Sequence, residues 1–492
     1  MNIFNVRFGF ATNSSSTHSI VQIPSGTSIS DNDVSCAEFG WQDFVCSSTR
    51  SKQMYIASQL RQHFIHQEDT DSVDWDYFKF LIGISEEDFQ TALSGYVDHQ
   101  SVISFPRNFN GHGLDIKFFK EFVSWILNPT VAILGGNDNR DDSHPLQKVC
   151  SELKQPFFLD YGRDEVVARW DEKFQYWTLF NRSSGTKVRF SFNPNHKVPG
   201  RSEVPELIDI KITDKCFAMC PFCYQGSTPE GEESDSTYLF HLSDVLSDNR
   251  VFEVAIGGGE PTLYPRFSKI LKDFRSKGIV PNFTTKSLAW FKNQEFITIL
   301  PYIGSFAFSA QTVEQIKQLR TTLDFYSDLI DDIRPSRLNV NIHIVMGIHE
   351  DWQFRHLLKE CFTNRFTPVL LGFKAVGRGS KVRIKPYNSW LTDVKKVYEQ
   401  IKSNPLIGLD TVMVSKFNDK LKEYGIPNYL YHGQEGTFSC YIDAVNRSMA
   451  ESSFSGIPSP FSYEHLEDFK EIFRKLNPET KHPSKKNKNH DS

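Results

Sequence analysis

Between residues 205 and 385 six short apolar runs alternate with helical stretches, and this alternation narrows the folds open to the chain. The runs are 207–212, 251–256, 279–285, 304–309, 339–346 and 368–374. Between them, Phe267, Ile270, Leu271 and Phe274 recur at i, i+3, i+4 and i+7, and segments 313–329 and 352–362 have similar spacing. Strand, helix and strand in succession give parallel neighbours, because the helix carries the chain back to start the next strand in the same direction. Six such units form either an open doubly wound sheet or a partial barrel, and the pattern alone does not choose. In both, the loops leaving the strands' C-terminal ends gather at one end of the sheet, where chemistry belongs.

The loop after the first strand reads Cys216-Phe217-Ala218-Met219-Cys220-Pro221-Phe222-Cys223. As a helix it would carry a stripe of small core residues, but Pro221 interrupts the hydrogen-bond ladder such a helix needs. As a zinc site it would want a second Cys or His pair, and no Cys-x2-Cys or His-x3-His follows. Three thiolates suit a cubane iron–sulfur cluster, which normally takes four, so one iron is left open. After the second strand comes Gly257-Gly258-Gly259-Glu260-Pro261. Glycines admit a close backbone approach, and an acid accepts from an ammonium group. The bland alternative is a Gly-rich turn with Glu260 at a helix N-terminus.

Together the two motifs resemble those of the radical S-adenosylmethionine (SAM) superfamily, Cys-x3-Cys-x2-Cys with an aromatic before the last Cys, then Gly-Gly-Glu-Pro. Phe222 fills the aromatic slot. The resemblance covers roughly residues 205–380, judged from the strand repeats. It implies an α/β fold with a partial (β/α)6 TIM-like barrel, a [4Fe-4S] cluster on Cys216, Cys220 and Cys223, and SAM on the open iron. Phe222, Gly258, Gly259, Glu260 and Pro261 would then border SAM. Ser309 would follow at the fourth strand and Val345 and Gly347 at the fifth, where His343 departs from the family's glycine and Glu350 is expected to cap a helix. Gly377 and Arg378 would follow the sixth, Arg378 near the substrate or the SAM carboxylate. Thr284, Thr285 and Lys286 end the third strand and face the same place.

The resemblance further implies an external one-electron donor, flavodoxin- or ferredoxin-like. Reductive cleavage of SAM would yield a 5′-deoxyadenosyl radical that takes hydrogen from a substrate. A peptide or protein side chain and a nucleoside or small metabolite both remain open as that substrate, and no catalytic side chain is singled out. The alternative class is a non-catalytic cluster or SAM-binding protein that senses redox state.

Beyond the core, residues 1–195 read as a mixed α+β N-terminal domain. The polar run Thr12–His18 reads as a loop before a short strand, Leu114–Leu127 as a helix, Val131–Leu134 as a strand stopped by Gly135-Gly136, and 165–192 as an antiparallel meander. A linker spans Asn193–Pro205. Residues 386–476 are expected to form a small C-terminal α/β cap with a helix at 391–401, a strand at 410–414, a hairpin at Cys440–Asp443 and a last helix at 465–476. Residues 477–492 read as a solvated basic tail. The 42 Phe call for aromatic cores or an apolar cavity. Net charge of -5 offers no bulk attraction for nucleic acid or membrane. Eight cysteines, three of them at ligand spacing, indicate a reducing compartment. With no secretory signal pattern at Met1–Phe10 and no long apolar stretch, a cytoplasmic protein without a membrane span is expected. Only Cys440 among the cysteines follows the barrel, so no auxiliary cluster is expected.

Overall fold

A computed structural model of the chain describes residues 16–22, 30–31, 37–40, 44–66, 73–97, 102–103, 105–109, 113–137, 166–193, 195–196, 200–333, 338–401, 406–426, 431, 433–454 and 456–476. It divides into two compact units, Met1–Val198 and Pro199–Ser492.

In the first unit β1 (Ser16–Gln22), β3 (Phe44–Cys46) and β5 (Val131–Asn137) form one antiparallel sheet, with β2 (Glu38–Phe39) and β4 (Tyr96–Val97) pairing separately. The meander is β6 (Val166–Asp171), β7 (Tyr176–Asn181) and β8 (Lys187–Phe190), as the sequence pattern indicated. Two boundaries differ. Ser16–His18, read as loop, pair with Gly135–Asn137, read as a stop, so each polar or glycine stretch extends the other's strand. Thr12–Ser15 lie outside the described residues, as does the tail at 477–492. Helices begin where short side chains cap them: Asp74 accepts from the Tyr77 N–H, Ser85 from that of Asp88 and Asp115 from that of Phe118. Much of the phenylalanine packs in this unit's core, edge to face, with Phe105 5.3 Å from both Phe119 and Phe122 and Phe118 5.3 Å from Trp177.

The second unit is organised on one ten-stranded sheet in the order β15-β14-β13-β12-β11-β10-β9-β16-β17-β18. The strands expected from the repeats are β9 (Leu207–Thr213), β10 (Glu253–Gly258), β11 (Val280–Thr285), β12 (Ser305–Ser309), β13 (Asn339–Val345) and β14 (Thr367–Leu371), all mutually parallel. Alternation along them separates two faces. Ile208, Ile210, Val254, Ile256, Phe283, Phe306, Phe308, Ile342, Ile344 and Leu370 point into the core. There Phe306 meets Phe283 at 5.8 Å and Phe291 at 4.9 Å. The other face carries Asp209, Asn282, Thr284, Asn341, His343 and Thr367, less buried and mostly polar.

Of residues 386–476, expected to cap the core, several extend the sheet. β15 (Gly408–Leu409) joins β14, and β16 (Ser439–Asp443) joins β9 in parallel before turning into β17 (Ser448–Ala450) and β18 (Ser459–Pro460). The strand expected at 410–414 is instead the start of a helix, Thr411–Glu423. Asp410 decides this by accepting from the Met413 N–H at 2.9 Å, a helix cap that a short apolar run cannot reveal by period. The single helix read over 313–329 is two, Val313–Phe325 and Ser327–Ile333, and the last helix is Phe469–Leu476 after a short turn at Tyr463–His465. No helix among the described residues is long and apolar enough to cross a membrane.

Candidate metal centre

Cys216, Cys220 and Cys223 lie on the loop leaving β9, partly exposed, and none is in a disulfide. The loop bends through Met219, whose positive φ of 46° is uncommon outside glycine. Its base is pinned by Lys211, buried on β9, whose ammonium reaches Asp214 at 2.9 Å and Asp443 of β16 at 2.7 Å. The Cys216 N–H closes the loop onto the Thr228 carbonyl at 2.8 Å. The thiol of Cys216 is pushed up, first by burial and then by the negative charge of Glu260, Cys220 and Cys223. The three sulfurs therefore share one electrostatic neighbourhood. Lys286, from the end of β11, places its ammonium 3.2 Å from the Cys220 sulfur and over the Phe222 ring at 5.7 Å.

A second segment clamps the loop from below. Arg378 donates from Nε to the Cys220 carbonyl (3.0 Å) and from one terminal nitrogen to those of Gly226 (2.9 Å) and Ser227 (2.8 Å). Its backbone N–H adds a bond to the Cys223 carbonyl at 3.0 Å. A Cβ on Gly377 would lie 2.3 Å from the Tyr224 carbonyl, so only glycine lets this contact form. Sequence reasoning aimed Arg378 at a ligand; the structure places its guanidinium on three carbonyls of the cysteine loop.

The glycine motif packs against the same loop. Gly258 closes β10 at φ 129°, and a Cβ on Gly258 or Gly259 would meet the carbonyl of Thr213 or Lys215 at 2.3 or 2.2 Å. The Gly259 and Glu260 N–H groups donate to those carbonyls at 2.7 and 2.8 Å. Gly257 has open space where its side chain would be. Glu260 is buried and heavily used: it accepts from the Thr262 and Thr285 hydroxyls, both at 2.7 Å, and from the Lys286 N–H at 2.9 Å. It also caps the short turn Pro261–Leu263. The turn-capping reading of Glu260 thus describes what its carboxylate does, and the carboxylate ties together the ends of β10 and β11.

Residues 210–361 match the family model described as the Radical SAM superfamily. That segment of the chain belongs to the superfamily. Curated proteins give no match. Among solved structures it is similar to SuiB of Streptococcus suis bound to S-adenosylmethionine (14% identity, TM-score 0.47, covering 64% of this chain and 87% of that one). The same protein bound to precursor peptide SuiA gives 14% and 0.48, with 62% and 87% covered. Coproporphyrinogen III oxidase of Escherichia coli, described as a radical SAM enzyme, gives 11% and 0.32, with 55% and 71% covered.

Radical SAM membership implies an iron–sulfur cluster and SAM, and the residues present fit both. Three free thiols on one loop, with an ammonium beside one of them and the carbonyls of Cys220 and Cys223 held by Arg378, are the sulfur donors such a cluster takes. Further along the radical SAM segment, Ser309 ends β12 beside His343 of β13, its hydroxyl without a partner among the described residues. Val345 and Gly347 border a cavity with His349, Tyr387 and Trp390, and His349 Nε2 and Trp390 Nε1 are buried without hydrogen-bond partners among the described residues. Gly347 turns at φ 85° and accepts from the Lys385 N–H at 2.9 Å. Glu350 precedes the helix Asp351–Thr363, its N–H bonded to Gln353 at 3.0 Å and its carboxylate to Lys385 at 2.6 Å. Lys211, Asp443 and Lys286 are the contributors that motif reading undervalued or missed. For the Lys211–Asp443 pair the only sequence signal was a lysine among the alternating apolar and polar residues of β9.

Proposed function

We propose that the second unit is a radical SAM enzyme built as a partial barrel, in which Cys216, Cys220 and Cys223 hold a [4Fe-4S] cluster with one open iron. The supporting observation is the set of three free thiols on a single clamped loop directly after β9. When bound, the cluster and SAM supply one-electron cleavage of SAM to methionine and a 5′-deoxyadenosyl radical that abstracts hydrogen from the substrate.

The chain's own residues do the positioning. Arg378 holds the loop's carbonyls and Gly377 permits the close approach, so the backbone that carries the three sulfurs is fixed. Lys286 sets its ammonium beside the Cys220 sulfur. Gly258 and Gly259 draw the end of β10 onto the loop, leaving the open backbone at Gly257 for the amino acid part of SAM. Ser309, Val345 and Gly347 would meet its ribose and adenine at the ends of β12 and β13. The electron comes from an external flavodoxin- or ferredoxin-like donor, and free cysteines throughout the described residues suit the cytoplasm.

The test is anaerobic reconstitution with iron and sulfide. The wild type should hold about four of each per chain, and a protein with Cys216, Cys220 and Cys223 all changed to Ala should hold none. One tightly bound zinc per chain in place of iron and sulfide would refute the proposal.

A further inference from the structure

The face of the sheet turned away from the hydrophobic core carries polar side chains that nothing among the described residues satisfies. Asp209 of β9, Thr284 of β11, Asn341 and His343 of β13 and Tyr441 of β16 have side chains without hydrogen-bond partners among the described residues. Strand pairing sets them on one face in two groups. Asp209 lies between Tyr441 and Ala255 across the sheet. Asn341 is level with Ala307, itself opposite Thr284. Asp209 is reached by solvent yet ringed by protein, so its carboxyl titrates as a buried acid. A set of polar groups with free bonding capacity on one face suits a ligand that completes their bonding.

The charge on this face is unbalanced. One ammonium, Lys374, lies within electrostatic reach of Asp209, Asp410, Glu435 and His343. It is held between the rings of Tyr224 (4.6 Å) and Phe454 (4.5 Å). Glu253 adds its charge to that of Asp209. Three carboxylates thus lie within reach of this cation, and Asp410 Oδ2 is buried without a partner among the described residues. His343 adds no compensating charge at neutral pH, since burial and then Lys374 pull its imidazole down to about 4. Tyr224 directly follows Cys223, so this acidic face borders the cysteine loop.

We infer that this face binds an amine- or guanidine-bearing group, with Asp209 as its principal acceptor and Thr284, Asn341 and Tyr441 completing the contacts. That the bound group belongs to the substrate rests on the radical SAM reading; that a cation binds does not. A peptide lysine and a free diamine present the same ammonium.

The test uses the full chain, loaded anaerobically with cluster and SAM, and calorimetry with four probes: Nα-acetyl-lysine methylamide, its neutral norleucine counterpart, Nα-acetyl-glutamate methylamide and putrescine. The lysine probe or putrescine should bind saturably, and the tighter of the two identifies the source. Asp209→Asn should weaken that binding about tenfold, the loss of one charge-assisted bond. The norleucine probe, which needs no variant, should bind at least about tenfold more weakly than the lysine probe. Tighter binding of the glutamate probe, equal binding of lysine and norleucine, or no saturable binding of either amine overturns the inference. The two claims fail separately. 5′-Deoxyadenosine formation without amine binding sinks only the cation site. Asp209-dependent amine binding with no 5′-deoxyadenosine sinks only the radical reading.

Discussion

The two faces of the ten-stranded sheet share strands and register but differ in what they ask of their side chains. On one, Ile256, Phe283, Phe306 and Ile342 are sealed under helices. On the other, the intervening residues Gly257, Asn282, Thr284 and Asn341 are polar or small and less buried. One face therefore supplies stability and the other keeps its bonding capacity free. A parallel sheet buried on both faces would read as continuous apolar runs; here the alternation in Asn339-Val340-Asn341-Ile342-His343-Ile344 already marks a one-sided core.

The comparison breaks most readily on stability. Phe306→Ala empties a site packed by Phe283, Phe291 and Phe296 and should cost about 3–5 kcal/mol in urea unfolding. Thr284→Ala, one strand away on the other face, should stay within about 0.5 kcal/mol. Similar losses for both would dissolve the distinction.

At the end of β10 the contrast narrows to neighbouring glycines. Gly259→Ala drives a Cβ into the Lys215 carbonyl and should abolish iron retention after reconstitution, whereas Gly257→Ala meets nothing and should retain the full complement. Arg378→Ala should show a smaller defect: iron binds but is lost on gel filtration, because three loop carbonyls lose their donor. Arg378→Lys should not restore retention, since one ammonium cannot span the same fork.

The finest effect is in pH. Burial raises the Asp209 carboxyl from 3.8 to about 6, while Lys374 opposes this and Glu435 and Glu253 reinforce it. Between those values the folded chain keeps a proton that the unfolded chain releases, so this group makes stability fall as pH rises. Burial and Lys374 lower the His343 imidazole from 6.5 to about 4. There the unfolded chain takes a proton that the folded chain refuses, so this group makes stability rise across the same window. The slopes oppose each other. Relative to wild type, Asp209→Asn should steepen the rise in melting temperature between pH 4 and 6, and His343→Asn should tilt it downward. Unchanged slopes in both would show that neither group is enclosed as described.

The parallel strands and the cysteine loop were legible because period and spacing are local. The six strands appear within a few residues of their expected bounds, the largest shift being at β14, which stops at Leu371 before Gly372 packs against Val412. The role of Arg378 was not legible, since its partners lie about 150 residues upstream and are carbonyls, which every residue has. Nor was the addition of β16 beside β9, which depends on a pairing between chain segments more than 200 residues apart and on the Lys211–Asp443 ion pair. Asp209 is one of several polar positions on β9, and only the register with Tyr441 and the reach of Lys374 give it a setting.

The most direct test of the open-iron account is 5′-deoxyadenosine, measured by mass spectrometry after the anaerobically reconstituted chain is reduced with dithionite in the presence of SAM. The account predicts SAM-dependent product from the wild type and none from Cys216→Ala beyond a protein-free blank. Product at equal levels from both, or from neither when the wild type carries its full iron and sulfide, would contradict it.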